Sequence, residues 1–255
     1  MKVGVDVTVR VGHLYPAEMS LYGDRGNVLA LIRRLQWRGM GVEVVPIEPG
    51  SLVDWDAIDL LFMGGGEDSH QVRIADDFLH RAEAIVPRLE RGLPMLAICG
   101  AYQLLGQEYV TADGRTLSGA GFLDVRTEAG SHRRQIGNVV AEVGVIDITP
   151  KTLVGFENHG GRTFLGPRAT PLASVGKGSG NNGTDCTEGA IRNHVIGTYL
   201  HGSLLPKNPQ LADRFLEWTL AYKASGIRLE PLGDHWEYLA HTDVIARYGR
   251  LRGNR

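Results

Sequence analysis

The sequence has only two cysteines among its 255 residues, Cys99 and Cys186, and they form no CxxC pair. Two isolated cysteines argue against a disulfide framework and are typical of a protein in the reducing cytosol. No apolar run approaches the ~18 residues that a membrane-spanning helix needs. Asp6 and Arg10 interrupt the apolar residues near the N-terminus, so we expect no signal-peptide core and a cytoplasmic protein.

An excess of positive charge is also missing. Twenty-seven Lys and Arg residues stand against 29 Asp and Glu residues, which gives a formal net charge of −2. This balance argues against a nucleic-acid-binding surface. The length suffices for a sizeable core, and the sequence shows neither an internal repeat nor a linker. We therefore expect one domain over residues 1–255, with a core to about residue 225 and a charged, weakly patterned tail over 226–255.

Strand and helix patterns alternate through the first part of the chain. Alternating valines from Val3 to Val11 predict a first strand, and the runs VEVVPI, DLLFM and PMLAIC predict three more. Apolar residues at helical spacing begin near Asn27, and a polar helix is predicted from about Ser69 to Leu89. Because short connections join these elements, the sequence predicts an α/β fold with a mostly parallel, doubly wound sheet.

The pattern changes after Gly106. Short strands such as NVVAEV and LVGFEN, separated by glycine turns, predict an antiparallel extension. The segment GKGSGNNGTDCTEG is typical of a mobile loop by its composition. Asn208 and Pro209 predict the cap and first position of a helix over PQLADRFLEWTLAYKAS.

Cys99 lies where the apolar run PMLAIC stops and the helical pattern GAYQLLG begins. Open α/β sheets bind ligands at the carboxyl ends of their strands. A helix N-terminus favours the thiolate, which is the nucleophilic form of cysteine. Gly100 permits a sharp turn and leaves its N–H to face an oxyanion, as in a nucleophile elbow. The alternative is a structural cysteine in a buried strand, which is common.

A nucleophilic cysteine needs a base, and the chain has nine histidines. His201 in GTYLHGS ends an apolar strand as Cys99 does, so two strand ends at one sheet edge would bring the two side chains together. The alternatives are that His201 is a surface loop residue, or that His159 in FENHGGRT is the base. No HExxH or Cys/His spacing indicates zinc, and we expect no metal site.

Three glycines, Gly64 to Gly66, follow the third predicted strand. Backbone N–H groups without side chains suit an oxyanion hole or a bound carboxylate. A phosphate-binding loop is the competing interpretation. It is disfavoured because no Gly-Lys-Ser/Thr follows at the required spacing.

Together, GGG, ICGAYQ and GTYLHG resemble the class I glutamine amidotransferase domains of the cobyric-acid-synthase type. SLYGDRGNVLAL, GFENHGGRT and IGTYLHGSLLPKNPQLAD most resemble the family of amidotransferase subunits of lipid II isoglutaminyl synthases. The resemblance extends to about Ala221. It implies a glutaminase that forms a heterodimer with a Mur-ligase-like synthetase and delivers ammonia to it. That partner would bind ATP and Mg²⁺ and amidate the D-glutamate of the lipid II stem peptide in peptidoglycan synthesis. No cofactor is implied in this chain.

The resemblance also implies roles for individual residues. Cys99 would attack the side-chain amide of glutamine, and His201 would be the base. The backbone N–H groups of Gly65 and Gly100 would form the oxyanion hole.

Two further residues would bind the substrate glutamine. Gln103, four residues after the cysteine, matches a substrate-contacting position of the family. Arg134 in RRQIGN matches a substrate-binding arginine that would contact the α-carboxylate, with Arg133 as the alternative.

One position departs from other class I amidotransferases, many of which have a glutamate two residues after the catalytic histidine. Ser203 occupies it here. Glu157 is a candidate for the missing acid, but we favour a carboxylate donated by the partner subunit. Two other functions stay open, namely an amidotransferase for another carboxylate such as a cobyrinate, and a non-catalytic binding subunit.

Overall fold

The structure is a computed structural model that describes residues 7–20, 23–129, 133–224 and 226–249. The strands in these ranges are β1 (Thr8–Leu14), β2 (Gly41–Ile47), β3 (Leu60–Met63), β4 (Met95–Ile98), β5 (Glu108–Val110), β6 (Thr116–Ser118), β7 (Val125–Ala129), β8 (Gln135–Glu142), β9 (Thr152–His159), β10 (Gly161–Leu165), β11 (Ala173–Lys177), β12 (Thr187–Glu188), β13 (Ala190–Arg192) and β14 (Val195–Thr198). The helices are α1 (Arg25–Trp37), α2 (Asp68–Glu90), α3 (Gly100–Leu105), α4 (Leu204–Lys207), α5 (Pro209–Tyr222) and α6 (His235–Tyr248).

A six-stranded sheet with the order β13-β14-β4-β3-β1-β2 forms the centre of the fold. All neighbouring strands are parallel except β13, which runs antiparallel to β14. Every residue of β3, β4 and β14 is buried, as expected for parallel strands covered on both faces. The predicted α/β fold with a mostly parallel sheet is therefore confirmed. Val3 and Val5 of the first predicted strand lie outside the described residues.

The predicted antiparallel extension corresponds to two four-stranded sheets, β10-β7-β5-β6 and β12-β11-β8-β9. All of their strand pairs are antiparallel except β5 and β7, which are parallel. In the second sheet, β8 and β9 pair antiparallel over eight residues each. Strand β9 also reaches the central sheet, because Phe156 and His201 exchange two backbone hydrogen bonds of 3.2 and 2.8 Å. The backbone of His201 is thus held between the central sheet and the extension.

The charged tail contains a helix that the sequence pattern does not predict. Asp234, at the start of α6, accepts two hydrogen bonds of 2.7 and 2.8 Å from Arg34 on α1. Arg34 is buried and also binds Asp213 on α5. The buried His241 donates from Nδ1 to the Lys207 carbonyl oxygen (2.9 Å). The weakly patterned tail is therefore packed against the core. None of the described helices is long and apolar enough to cross a membrane.

Candidate active site

Cys99 occupies a sharp turn between β4 and α3. Its backbone has φ +52° and ψ −103°, a conformation that costs a non-glycine residue roughly 1–3 kcal/mol. Two hydrogen bonds fix the turn, from the Cys99 N–H to the Thr198 carbonyl oxygen (2.8 Å) and from the Gln103 N–H to the Cys99 carbonyl oxygen (3.0 Å). The predicted strand–cysteine–helix arrangement is present, at the carboxyl edge of the central sheet.

The side chain of His201 lies beside Cys99. Strands β14 and β4 are parallel and in register, with Thr198 opposite Ile98, so the residues that follow them emerge at the same edge. The imidazole is completely buried. A Cβ built on Gly65 would lie 2.6 Å from His201 Cε1 and 3.3 Å from Cys99 Cβ, so both residues border the same point. The sheet therefore brings together the cysteine and the histidine that the sequence selects.

A third residue, Asp24, completes this group. It directly precedes α1 and is completely buried. Its Oδ1 lies 3.1 Å from His201 Nδ1, and its Oδ2 accepts a 2.8 Å hydrogen bond from the Gly65 N–H. Burial alone would lower the pKa of His201. Cys99 and Asp24, through charge and hydrogen bonds, together raise that pKa to about 10. These two neighbours therefore favour the protonated imidazole.

The carboxylate that faces the histidine is not that of Glu157. Glu157 is buried, but its carboxylate accepts hydrogen bonds from the Ser179 and Gly180 N–H groups at 2.8 and 2.9 Å. The expectation for Glu157 is therefore wrong, and a carboxylate of this chain already lies beside His201 without a partner subunit. Asp24 comes from a loop 177 residues away in sequence, and only the folded chain brings it to His201.

Ser203, which replaces the glutamate of other class I enzymes, holds the loop that carries Asp24. Its Oγ donates to the Gly23 carbonyl oxygen at 2.7 Å. A Cβ on Gly26 would lie 2.0 Å from that Oγ, so only glycine fits there. The next residue, Asn27, accepts a 2.8 Å hydrogen bond from the Leu205 N–H. The segment GDRGN is thus tied to α4, which directly follows the histidine.

The glycine triplet allows close packing around Met19, and the predicted role of Gly65 as an oxyanion donor is wrong. The Gly65 N–H cannot face an oxyanion because it donates to Asp24. A Cβ on Gly64 would lie 2.5 Å from the Met19 carbonyl oxygen, and one on Gly66 would lie 2.3 Å from Met19 Sδ. The Gly100 N–H is the first amide of α3 and has no acceptor within that helix. Of the two predicted oxyanion donors, only Gly100 keeps an available N–H.

A cavity of about 470 Å³, here called the Cys99 cavity, opens beside these residues. Cys99, His201, Gln103 and Arg134 all line it. The guanidinium of Arg134 is held by Asn158, with Nε donating to Oδ1 (3.0 Å) and Nη2 to the backbone carbonyl oxygen (2.9 Å). Arg133 does not line the cavity. The geometry therefore favours Arg134 over Arg133.

Gln103 belongs to a chain of buried polar side chains at the base of the Cys99 cavity. Its Oε1 accepts from Gln71 Nε2 at 2.9 Å, and its Nε2 donates to the Tyr199 hydroxyl at 3.1 Å. The Tyr199 hydroxyl in turn lies 2.7 Å from Thr163 Oγ1. A buried network of this kind fixes the orientation of each member.

His159, the alternative base, has a different environment. Its ring stacks on Tyr199 with centroids 3.6 Å apart, and its Nδ1 lies 2.9 Å from the Gly161 carbonyl oxygen. Burial lowers the pKa of His159 despite the opposing effects of Glu157 and Gly161. The uncharged form of the ring is therefore favoured where it lines the cavity. Within the described ranges, no three His, Cys, Asp or Glu side chains are grouped as metal ligands.

Curated proteins with similar sequences cover nearly the whole chain. The chain is 38% identical over 245 residues to the Staphylococcus aureus protein named lipid II isoglutaminyl synthase (glutamine-hydrolyzing) subunit GatD, covering 95% of this chain and 97% of that protein. The Streptococcus pneumoniae protein of the same name is 38% identical over 239 residues, covering 94% and 88%. A probable cobyric acid synthase from Methanothermobacter thermautotrophicus is 33% identical over 202 residues, covering 71% of this chain but only 39% of that protein.

Solved structures support the fold. A crystal structure of a glutamine amidotransferase superposes with a TM-score of 0.57 at 19% identity, covering 82% of this chain and 98% of that one. A glutamine amidotransferase from Thermotoga maritima gives a TM-score of 0.54 at 15% identity, covering 93% and 94%. The model of the CobB/CobQ-like glutamine amidotransferase domain matches residues 10–209. With Cys99, His201 and Asp24 inside the matched region, the chain belongs to the CobB/CobQ-like glutamine amidotransferase family.

Proposed function

We propose that this chain is the glutamine-hydrolysing subunit of a lipid II isoglutaminyl synthase. The observation that carries the proposal is the buried group of Cys99, His201 and Asp24 at one edge of the Cys99 cavity. The two relatives of that name align with nearly the whole of this chain and with most of their own length. The cobyric acid synthase relative extends far beyond the matched part, which favours a separate ligase for the present chain.

The first half of the proposed reaction forms a covalent intermediate. The Cys99 sulfur attacks the side-chain amide carbon of glutamine and forms a tetrahedral adduct, whose oxyanion the Gly100 N–H would stabilise. The adduct collapses when the C–N bond breaks and His201 gives its proton to the leaving nitrogen. The products are ammonia and a glutamyl thioester on Cys99.

The second half regenerates the enzyme. A water molecule loses a proton to the neutral His201 and attacks the thioester carbon. The C–S bond then breaks, and the products are glutamate and the Cys99–His201 ion pair. Asp24 holds the imidazole in one orientation through both halves, since its Oδ1 faces Nδ1 and leaves Nε2 for the reacting groups.

We further propose that the whole chain works as one amidotransferase domain in the cytoplasm, where a reducing environment keeps Cys99 a free thiol. The sequence shows no phosphate-binding loop, so ATP and Mg²⁺ would bind to a Mur-ligase-like partner in a heterodimer. That partner would use the ammonia to convert the D-glutamate of the lipid II stem peptide to D-isoglutamine, a step of cell wall synthesis.

Transfer of labelled nitrogen tests this function. The chain is mixed with the candidate synthetase, ATP, Mg²⁺, lipid II and glutamine labelled with ¹⁵N in its side-chain amide. We expect ¹⁵N in the stem peptide as D-isoglutamine, and none when this chain is omitted. Glutamine hydrolysis without transfer to lipid II, but with transfer to a cobyrinate, would identify the other acceptor. No hydrolysis at all would favour a non-catalytic subunit.

Replacing Arg134 by alanine is expected to raise the KM for glutamine about 10- to 100-fold and to change kcat little. The reason is the loss of a charge-assisted contact to the α-carboxylate, worth roughly 1.5–3 kcal/mol where it is partly desolvated. Steady-state glutaminase kinetics measure both constants. Arg133→Ala is the matched control and should stay within about twofold of the wild type. An effect of Arg133→Ala with a silent Arg134→Ala would reverse the assignment.

Replacing Cys186 by serine is expected to leave glutamine hydrolysis unchanged. The side chain is exposed, and Cys186 contributes its backbone carbonyl oxygen to the Val175 N–H at 2.8 Å, which a serine would also do. The glutaminase rate measures the effect. An inactive Cys186→Ser protein of normal thermal stability would mean that the reactive thiol is not Cys99 alone.

A further inference from the structure

The first turn of α2 contributes two residues with side-chain hydrogen-bond acceptors to the lining of the Cys99 cavity. Asp68 and Gln71 both line that cavity. They are three residues apart on one helix, so their side chains lie on the same face. Neither residue belongs to the group of Cys99, His201 and Asp24.

The acceptor on Gln71 lacks a donor. The side chain is 2% exposed, and its Oε1 is buried without a hydrogen-bond partner. Its amide nitrogen donates to Gln103 Oε1 at 2.9 Å and to the Gly66 carbonyl oxygen at 3.4 Å. Rotating the amide would turn its oxygen toward the Gly66 carbonyl oxygen, which cannot donate, so the contact to Gly66 favours this orientation. A buried acceptor that stays unpaired costs free energy unless a ligand supplies the donor.

The carboxylate of Asp68 is fixed in a similar way. The buried Tyr109 donates its hydroxyl to Asp68 Oδ1 at 2.7 Å. Burial, and then the hydrogen bond to Asp68, raise the pKa of Tyr109 far above its usual range, so the hydroxyl remains a donor. Among the residues that the structure describes, no donor is bonded to Oδ2. One carboxylate oxygen is thus held in place while the other remains available to a ligand.

The charges around the Cys99 cavity match a zwitterion. Arg134 supplies a cation for the α-carboxylate of glutamine, while Asp68 supplies an anion on a different element of the same cavity. An α-ammonium group has three N–H donors and one positive charge. We infer that Asp68 and Gln71 form the subsite for the α-ammonium group of the substrate, an inference that rests on the proposed glutaminase function.

Two substrates that differ only in this group test the inference. With the full-length chain, kcat/KM is measured for L-glutamine and for 4-carbamoylbutanoate, which lacks the α-amino group. We expect the wild type to prefer glutamine at least about 100-fold, since hydrogen bonds to charged groups dominate the difference. Asp68→Asn keeps an oxygen for Tyr109 and removes the charge. It should lower kcat/KM for glutamine about 30- to 100-fold and change that for 4-carbamoylbutanoate less than threefold.

Glu67→Gln is the matched control, because Glu67 is the neighbouring carboxylate and lines the same cavity. It should retain the wild-type preference. If turnover of 4-carbamoylbutanoate is too slow to measure, the inhibition constants of L-glutamate and glutarate replace the two rates. The ratio of the glutarate constant to the L-glutamate constant should fall toward one in Asp68→Asn.

Three outcomes overturn the inference. Asp68→Asn could lower kcat/KM equally for glutamine and 4-carbamoylbutanoate, or weaken the binding of L-glutamate and glutarate equally, which would show a structural effect. Glu67→Gln alone could remove the preference, which would move the subsite to Glu67. The wild type could hydrolyse glutamine without preferring it, so that no such subsite exists. Failure of the proposed glutaminase activity is distinguishable from all three, because the wild type would then not hydrolyse glutamine at all.

Discussion

Replacing Cys99 by alanine is expected to lower glutamine hydrolysis by at least about 10⁴-fold without unfolding the protein. Removing the nucleophile of a covalent mechanism leaves only the contributions of binding and of the oxyanion hole. The backbone contacts of Cys99 to Thr198 and Gln103 do not involve the thiol, so the turn should persist. Glutamate release measures the rate, and thermal unfolding measures the fold. A folded Cys99→Ala protein that still hydrolyses glutamine at a tenth of the wild-type rate would refute the assignment.

A second variant at this position tests the backbone strain independently of activity. Because φ at Cys99 is +52°, glycine should adopt this backbone conformation at a lower free-energy cost than alanine. Cys99→Gly should therefore unfold with a free energy about 1 kcal/mol higher than Cys99→Ala. Both proteins lack the thiol, so the comparison isolates the turn. Equal stability would mean that the turn stores no strain.

The sequence predicts the central sheet because its strands carry local signals. β3 and β4 are short apolar runs bounded by turn residues, and such runs are typical of buried parallel strands. The same alternation of strand and helix indicates which strand ends share an edge. Cys99 and His201 can therefore be paired before any coordinates are known.

The tail helix α6 gives no comparable signal. Only His241 of this helix is buried, while Trp236 and Leu239 are 73% and 51% exposed. Its attachment uses isolated polar contacts to distant residues, such as Asp234 with Arg34, 200 residues away, and His241 with the Lys207 carbonyl oxygen. A contact between single polar residues so far apart leaves no periodic pattern in the sequence.

The segment around residues 176–189 shows another limit of composition. Its glycines and asparagines are typical of a mobile loop, yet Asn181 is completely buried. The Asn181 side chain donates to Thr187 Oγ1 and to the Gly189 carbonyl oxygen, at 2.9 and 3.0 Å. Asparagine side chains can replace backbone partners in this way, so the same composition also suits a packed loop.

The carboxylate beside His201 could not be identified from the sequence for a related reason. In many class I enzymes it stands two residues after the histidine, where a motif reveals it. Here that position is Ser203, which instead binds the loop of Asp24 through the Gly23 carbonyl oxygen. The carboxylate beside His201 therefore comes from a distant segment of this chain, and the position two residues after the histidine carries a hydroxyl that holds that segment. The motif GDRGN contains the acid, but only the fold shows what the acid faces.

Replacing Asp24 by asparagine is expected to lower the glutaminase kcat roughly 10²- to 10³-fold. Exchange of the orienting acid for its amide costs about 10⁴ in the serine-protease template, and a thiolate depends less on its base than a hydroxyl does. The variant also removes the charge of Asp24 and replaces its charged hydrogen bond to His201 by a neutral one, and both of these influences raise the pKa of His201 in the wild type. That pKa, about 10 in the wild type, should therefore fall. The alkaline decline of the pH–rate profile should therefore begin at a lower pH, because the imidazolium that protonates the leaving nitrogen loses its own proton at a lower pH.

Glu157→Gln is the matched control for Asp24→Asn, since Glu157 is a buried carboxylate near the same cavity that faces Ser179 and Gly180 instead of His201. It should change thermal stability without moving the alkaline limb. Both variants are measured alone and with the synthetase subunit. If Asp24→Asn recovers the full wild-type rate when the synthetase is bound, the partner supplies the acting carboxylate and Asp24 is dispensable. We expect the defect to persist in the complex, because Asp24 reaches Nδ1 of His201 at 3.1 Å within this chain.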